Sequence, residues 1–303
     1  MGAKKIVVVG STNMDMVVKT SHIPTHGETV LGGAFFMNPG GKGANQAVAV
    51  ARLGGDVVFV SKIGNDVFGK QALQGFAAEG IDTSCVLFDE ALPSGVALIT
   101  VDAAGENSIV VASGANGNLL PPDIEAALSE IGAAGVVLLQ LEIPLATVEY
   151  VAGYAASNGV RVILNPAPAA VLSSTLFSHL DVITPNETEA SMISGVEVSD
   201  LGTAKQAALR IRALGVRNVV ITMGAAGALV LEGEVFTHVP ARKVEPVDTT
   251  AAGDVFNGAL AVSMAEGLSL PDAVGFACEA AAVSVTRLGA QSSIPHRKEL
   301  AGW

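Results

Sequence analysis

Ile6-Val7-Val8-Val9-Gly10 is an unbroken run of β-branched residues closed by a glycine. It shows no apolar–polar alternation, so it reads as a strand covered on both faces, as in a parallel sheet between helical layers. The pattern returns at Val57-Val58-Phe59-Val60, Gly135-Val136-Val137-Leu138-Leu139 and Val160-Arg161-Val162-Ile163-Leu164. It returns again at Asp181-Val182-Ile183-Thr184 and Asn218-Val219-Val220-Ile221-Thr222. Alanine-rich helical stretches lie between many of these runs, over 44–53, 68–79, 124–131, 147–157 and 202–214. Gly54, Gly80, Gly159 and Gly215 follow as stops. The alternation predicts βαβ units and an α/β fold with a mainly parallel sheet.

Two segments break the rhythm. Residues 14–36 and 94–112 read as hairpin-like strands with no helix between them, and Asp102-Ala103-Ala104-Gly105 has the composition of a turn. They predict either a small separate sheet projecting as a lid from one large domain that spans residues 1–303, or ordinary surface hairpins on it. The chain carries 17 Lys and Arg against 29 Asp and Glu, a net charge of −12, and half its residues are hydrophobic. That composition excludes disorder and a disulfide scaffold and argues against a nucleic-acid partner. An acidic protein binds anions through helix N-termini and glycine nests. The one long uncharged window, 162–180, contains Asn165, Pro166, Pro168 and His179 and makes a poor bilayer span, so no membrane partner is expected. The N-terminus enters a strand pattern at once and has no signal-peptide form. Cys85 and Cys278 lie far apart with no metal or redox spacing. They read as small buried residues in a reducing, cytoplasmic setting.

The richest segment for chemistry is Val247-Asp248-Thr249-Thr250-Ala251-Ala252-Gly253-Asp254, continuing to Asn257-Gly258-Ala259-Leu260. Asp248, Thr249 or Thr250 can cap a helix, and the small residues after them leave its first turn open to an anion. Asp254 stands at that same start. A carboxylate beside an anion nest suits phosphoryl transfer, with the nest on the moving group and the carboxylate receiving the acceptor's proton late. Asn38-Pro39-Gly40-Gly41-Lys42-Gly43-Ala44-Asn45 is glycine-rich but lacks the Ser or Thr and the spacing of a P-loop. Asn45 offers a donor and an acceptor to vicinal hydroxyls. Asn13, Asp15 and Glu142 follow apolar strands, at the edge where open α/β sheets bind ligands. Asn186 and Glu189 have the spacing of a capping box, and locally that reading is favoured over a Mg²⁺ pair. Thr222-Met223-Gly224-Ala225-Ala226-Gly227 ends another strand in a glycine turn.

Together these motifs resemble the ribokinase-like carbohydrate kinases, or phosphofructokinase-B family, from Ile6 to about Ser293. The resemblance implies a Rossmann-like three-layer sandwich with a small β-sheet lid. It implies ATP-dependent phosphorylation of D-ribose at its 5-hydroxyl, with Asp254 as base and the amides of Ala251, Ala252 and Gly253 as anion hole. Asn13, Asp15, Gly41, Lys42, Gly43, Asn45, Glu142 and Asp254 are implied for the sugar. Asn186, Thr222, Gly224, Gly227, Gly253 and Cys278 are implied for the nucleotide, although Cys278 departs from the histidine frequent in close relatives. Asn186 and Glu189 become a water-mediated Mg²⁺ pair. Asp248, Thr250, Ser284, Arg287, Gly289 and Ser293 become the site of an activating monovalent cation, usually K⁺, several of them through carbonyls. A homodimer joined through the lids is also implied. The rivals are a kinase for deoxyribose, another sugar or a nucleoside, and a non-catalytic sugar-binding protein.

Overall fold

The run Ile6–Val9 forms a strand, β1, inside a nine-stranded sheet. A computed structural model describes residues 4–300 of the chain. After β1 come β2 (Asn13–Lys19), β3 (Phe35–Gly40), β4 (Val57–Gly64), β5 (Val86–Asp89), β6 (Gly95–Val101) and β7 (Asn107–Ala112). The later strands are β8 (Val136–Leu139), β9 (Arg161–Leu164), β10 (Val182–Ile183), β11 (Asn218–Thr222), β12 (Ala228–Glu232) and β13 (Val235–Val239). The helices are α1 (Lys42–Arg52), α2 (Val67–Ala78), α3 (Leu128–Ala133), α4 (Leu145–Ser157), α5 (Ser174–Ser178), α6 (Glu187–Ser194), α7 (Leu201–Ala213), α8 (Ala252–Glu266) and α9 (Leu270–Ser284).

The large sheet runs β13-β12-β11-β10-β9-β8-β1-β4-β5, parallel except for the β12–β13 hairpin at one edge. Successive β1 side chains point to opposite faces. Ile6 and Val8 join a core with α1, α8 and α9, and Val7 and Val9 join a second core with α4 and α7. All four are at most 1% exposed, and each fully buried branched side chain contributes roughly 1.5–3 kcal/mol of burial. The result is the three-layer α/β arrangement that the apolar runs predict. Gly54, Gly80, Gly159 and Gly215 all hold positive φ just past helices, as the stop reading requires.

The second sheet has four strands in the order β3-β2-β6-β7. The second irregular segment forms the expected hairpin, with Asp102 Oδ1 accepting from the amides of Ala104 and Glu106 at its turn. The first is not a tight hairpin. The residues between β2 and β3 form no strand, because Pro24, Gly27, Gly32 and Gly33 break the pairing pattern. The stretch 124–131 also differs from a single α-helix. Pro121-Pro122 start a 3₁₀ turn, Pro121–Ala127, and only then does α3 begin.

α1 and α8 pack closely at Gly258, where a Cβ would lie 2.5 Å from the Ala49 Cβ and 3.0 Å from the Gln46 carbonyl oxygen. At the far end of α1, Arg52 donates to the carbonyls of Gln291 and Ile294 and pairs with Glu79. This anchors the last described segment to the core.

Candidate active site

The carboxyl edge of the large sheet gathers the polar residues. The chain leaves β1 through Gly10-Ser11-Thr12 and enters β2 at once. Ser11 Oγ donates to Glu142 Oε2 at 2.6 Å, and the Lys42 amide donates to the same oxygen at 3.0 Å. Glu142 thus ties the end of β1 to the start of α1. Gly43 makes that approach possible, since a Cβ there would lie 2.5 Å from Gly10 C and Ser11 N. Asn13 Oδ1 accepts from Asn116 Nδ2 at 2.7 Å, and Asn116 is itself fixed by the backbone of Thr12. Asn13, Asn116 and Glu142 line a cavity of about 370 Å³. Gly41 is the residue before α1, buried, with φ 91°.

α8 begins without a side-chain cap, which corrects the expectation for Asp248, Thr249 and Thr250. The Asp248 carboxylate turns away, accepting from the amide and hydroxyl of Thr250 and from the Gly289 amide. The N-cap position is Ala251 in the left-handed region at φ 61°, the single non-glycine residue with positive φ among those described. The Ala252 amide donates to the Thr249 carbonyl at 3.2 Å. Among the described residues the amides of Ala251, Gly253 and Asp254 meet no acceptor. A Cβ at Gly253 would meet nothing within 4 Å. An open, positive helix end thus faces a cleft of about 230 Å³, with Lys42, Asp254 and Thr184 in its walls.

Asp254 is 5% exposed. Asn45 Nδ2 donates to its Oδ2 at 2.9 Å and Gln46 Nε2 to its Oδ1 at 3.0 Å. Burial pushes its carboxyl above the usual range, against the pull of Lys42 and of both amides. Asp15 is raised to about 6, first by burial and then by Glu142 and Asp254. Glu189 is raised by burial. Burial pulls the Lys42 ammonium down, but Asp254, Glu142, Glu189 and Asp15 outweigh it and hold it above its ordinary value. One cation therefore serves four carboxylates.

Asn186 and Glu189 form the capping box of α6, each side chain accepting from the other's amide at 2.8–2.9 Å. They also line the cleft, and among the described residues no donor meets Glu189 Oε1, the Asn186 amide going to Oε2. Asn186 and Thr222 are bridge partners, which brings β10 and β11 together at this edge. Gly224 and Gly227 make the turn between β11 and β12 and do not line the cleft. Cys278 sits in the core on α9, 7% exposed, its thiol pushed by burial to about 11. It is not part of the cleft lining.

The profile described as pfkB family carbohydrate kinase matches residues 3–297. The chain belongs to that family. It is 46% identical to the ribokinase of Haemophilus influenzae over 296 residues, 98% of this chain and 97% of that one. It is 38% identical to the deoxyribokinase of Salmonella typhimurium over 291 residues, 96% of this chain and 95% of that one. The structure of Arabidopsis thaliana ribokinase complexed with ribose and ATP superposes with a TM-score of 0.93 at 34% identity, covering 99% of this chain and 98% of that one.

In this pfkB carbohydrate kinase several site residues escape a sequence reading. Ser11, Asn116, Gln140, Asn165, Thr184 and Asn257 all bond within the site, yet each alone reads as an ordinary polar residue. The available signal is a polar residue directly after an apolar strand, as at Gln140, Asn165 and Thr184. The residues implied for a monovalent cation are split. Asp248, Thr250 and Gly289 are joined by hydrogen bonds. Ser284 and Ser293 direct their hydroxyls to the carbonyls of Ala281 and Ala290, and Arg287 pairs with Glu299. Among the described residues no group of three His, Cys, Asp or Glu is placed to hold a metal ion.

Proposed function

We propose that this kinase transfers the γ-phosphoryl group of ATP to the 5-hydroxyl of D-ribose, giving D-ribose 5-phosphate and ADP. The observation that carries the reading is the start of α8. A buried carboxylate held by two amides stands beside an uncapped helix end whose glycine faces open space. Its 46% identity to a ribokinase and its likeness to a ribokinase complexed with ribose and ATP support ribose as the acceptor.

Asn13, Asp15, Gly41, Gly43, Asn45 and Glu142 hold the sugar. Asn45 Oδ1 is buried with no partner among the described residues, an acceptor suited to a sugar hydroxyl. Asp254 orients the 5-hydroxyl and takes its proton as the O–P bond forms and the bond to ADP breaks. The helix end would lower a carboxylate's basicity, but burial opposes that and keeps Asp254 basic enough to accept. The free amides of Ala251, Gly253 and Asp254, with Lys42, meet the charge on the moving group. Asn186 and Thr222 line the nucleotide side.

The open oxygen of Glu189, beside Asn186, is a hard donor that fits Mg²⁺ through water. Bound there, Mg²⁺ would neutralise phosphate charge. Asp248 and the carbonyls near Ser284, Gly289 and Ser293 fit K⁺, which would fix the loop leading into α8. The four-stranded sheet acts as a lid. Leu98 and Val110, direct partners across β6 and β7, share one face of it and are more than half exposed, an apolar patch for the lid of a second copy in a homodimer. Among the described residues no helix is long and apolar enough to cross a membrane, and we place the enzyme in the cytoplasm.

Deoxyribose is the second reading, because of the 38% identity to a deoxyribokinase. The test is ADP release over pentoses, deoxyribose, hexoses and nucleosides, with K⁺ and with Na⁺. Turnover is expected with ribose and faster in K⁺. Brisk turnover on another acceptor with none on ribose would sink the assignment.

A further inference from the structure

Gln46 is fully buried on α1, and both ends of its amide are engaged. Its Nε2 donates to Asp254 Oδ1 at 3.0 Å and to Asn165 Oδ1 at 3.1 Å, while its Oε1 accepts from Gln140 Nε2 at 2.6 Å. Gln140 and Asn165 follow β8 and β9. A second branch runs from Thr184 Oγ1 to Asn257 Oδ1 at 2.6 Å, and Asn257 Nδ2 donates to the Gly253 carbonyl at 2.8 Å. Uncharged side chains thus connect the ends of three parallel strands to both parts of the helix start, the Asp254 carboxylate and the Gly253 carbonyl.

We infer that Gln46 is a positioning residue for phosphoryl transfer. Anchored by Gln140, it aims one donor at Asp254 Oδ1 and so fixes the rotation of the carboxylate while Asn45 holds the other oxygen. The inference rests on the reading of Asp254 as base. The geometry carries it in three ways. An amide is the only uncharged side chain of this length that both donates to a carboxylate and accepts from a second amide. The seat cannot drift, because Gly258 locks α1 onto α8 beside Gln46. A carboxylate left with one donor could rotate, and a misplacement of about 1 Å costs roughly 100-fold in rate.

The charged groups that face Asp254 are Lys42 from α1, Glu142 after β8, Glu189 from α6 and Asp15 from β2. None of them is removed by changing Gln46, so a shift in the pH profile reports on the amide itself. Gln46→Met keeps the volume and deletes the donor. The expected result is a folded protein with kcat down roughly 10- to 100-fold and sugar KM changed less than about threefold. The acid limb of kcat should also move up by about one pH unit, because a hydrogen bond to the charged form is lost. Gln46→Leu also deletes the donor without adding a charge and serves if the Met variant does not fold; the same limb should rise similarly. A wild-type kcat and limb in whichever variant folds overturns the inference, provided Asp254→Asn is inactive. If Asp254→Asn keeps a near-normal rate, the base assignment itself has failed, and the inference falls with it.

Discussion

The carboxylate of Asp15 occupies the space in which a side chain on Gly40 would begin. A Cβ at position 40 would lie 2.2 Å from Asp15 Oδ2. The two residues are offset by two positions from the direct pair Asp15–Asn38 across the β2–β3 ladder, and the missing side chain gives the acid its room. That room is poorly solvated. Asp15 ionises near pH 6 in the folded protein against 3.8 as an ordinary aspartate. Its folded pKa is raised, so its contribution to stability is complete below pH 3.8 and lost as pH rises through 6. Holding it charged at pH 7.5 costs on the order of 3 kcal/mol. Asp15→Asn should therefore raise Tm at pH 7.5, raise it little near pH 4, and raise the sugar KM steeply at both. A lower Tm at pH 7.5 would refute this account.

Gly43 and Gly253 make opposite predictions from the same substitution. Gly43→Ala drives a methyl into the backbone of Gly10 and Ser11, which should cost about 1–3 kcal/mol or more and lower Tm by several degrees. Gly253→Ala meets open space and sits near a helix start, so Tm should hold or rise slightly. Its kcat should fall about 100-fold, because the methyl stands where the phosphoryl group must pass. Thermal melts beside ADP-release rates separate the two. Full activity in Gly253→Ala would show that the phosphoryl group does not pass over the face of Gly253 that a methyl would fill.

Lys42→Met leaves the amide bond to Glu142 in place and removes the one ammonium among four carboxylates. Asp254, Asp15 and Glu189 all lose the cation that pulls their pKa values down. The acid limb of kcat should move up by about one unit, and kcat should drop at every pH. An unmoved limb with lowered kcat would leave Lys42 a role on the phosphate alone.

The large sheet is legible because its strands are continuous apolar runs, and Asn218–Thr222 forms a strand over the span read from the sequence. β5 and the β12–β13 hairpin are not, since neither is followed by a helix and both lie at sheet edges. The pairing of Asn186 with Glu189 is legible as a cap, and the cap is made. Their place on the cleft wall is not, because it depends on β10 and β11 lying side by side. Asp254 stands out in sequence beside small residues, while Gln46 does not. Its partners lie 119 and 208 residues away, beyond any local pattern. Ala251 reads as a plain helix former, yet the chain's turn forces it into left-handed geometry at a cost of about 1–2 kcal/mol.

The bonds from Asn45 and Gln46 to Asp254 span 209 and 208 residues. A ribosome makes the donors early and their acceptor late. Until α8 has emerged, the face of α1 that it covers stays bare and two amides lack their acceptor. The contacts that hold the Asp254 carboxylate therefore form only once residue 254 has been made. A chain truncated before residue 252 should be inert however well its first strands pair, and an enzyme split between α1 and α8 should regain turnover only when both pieces reassemble.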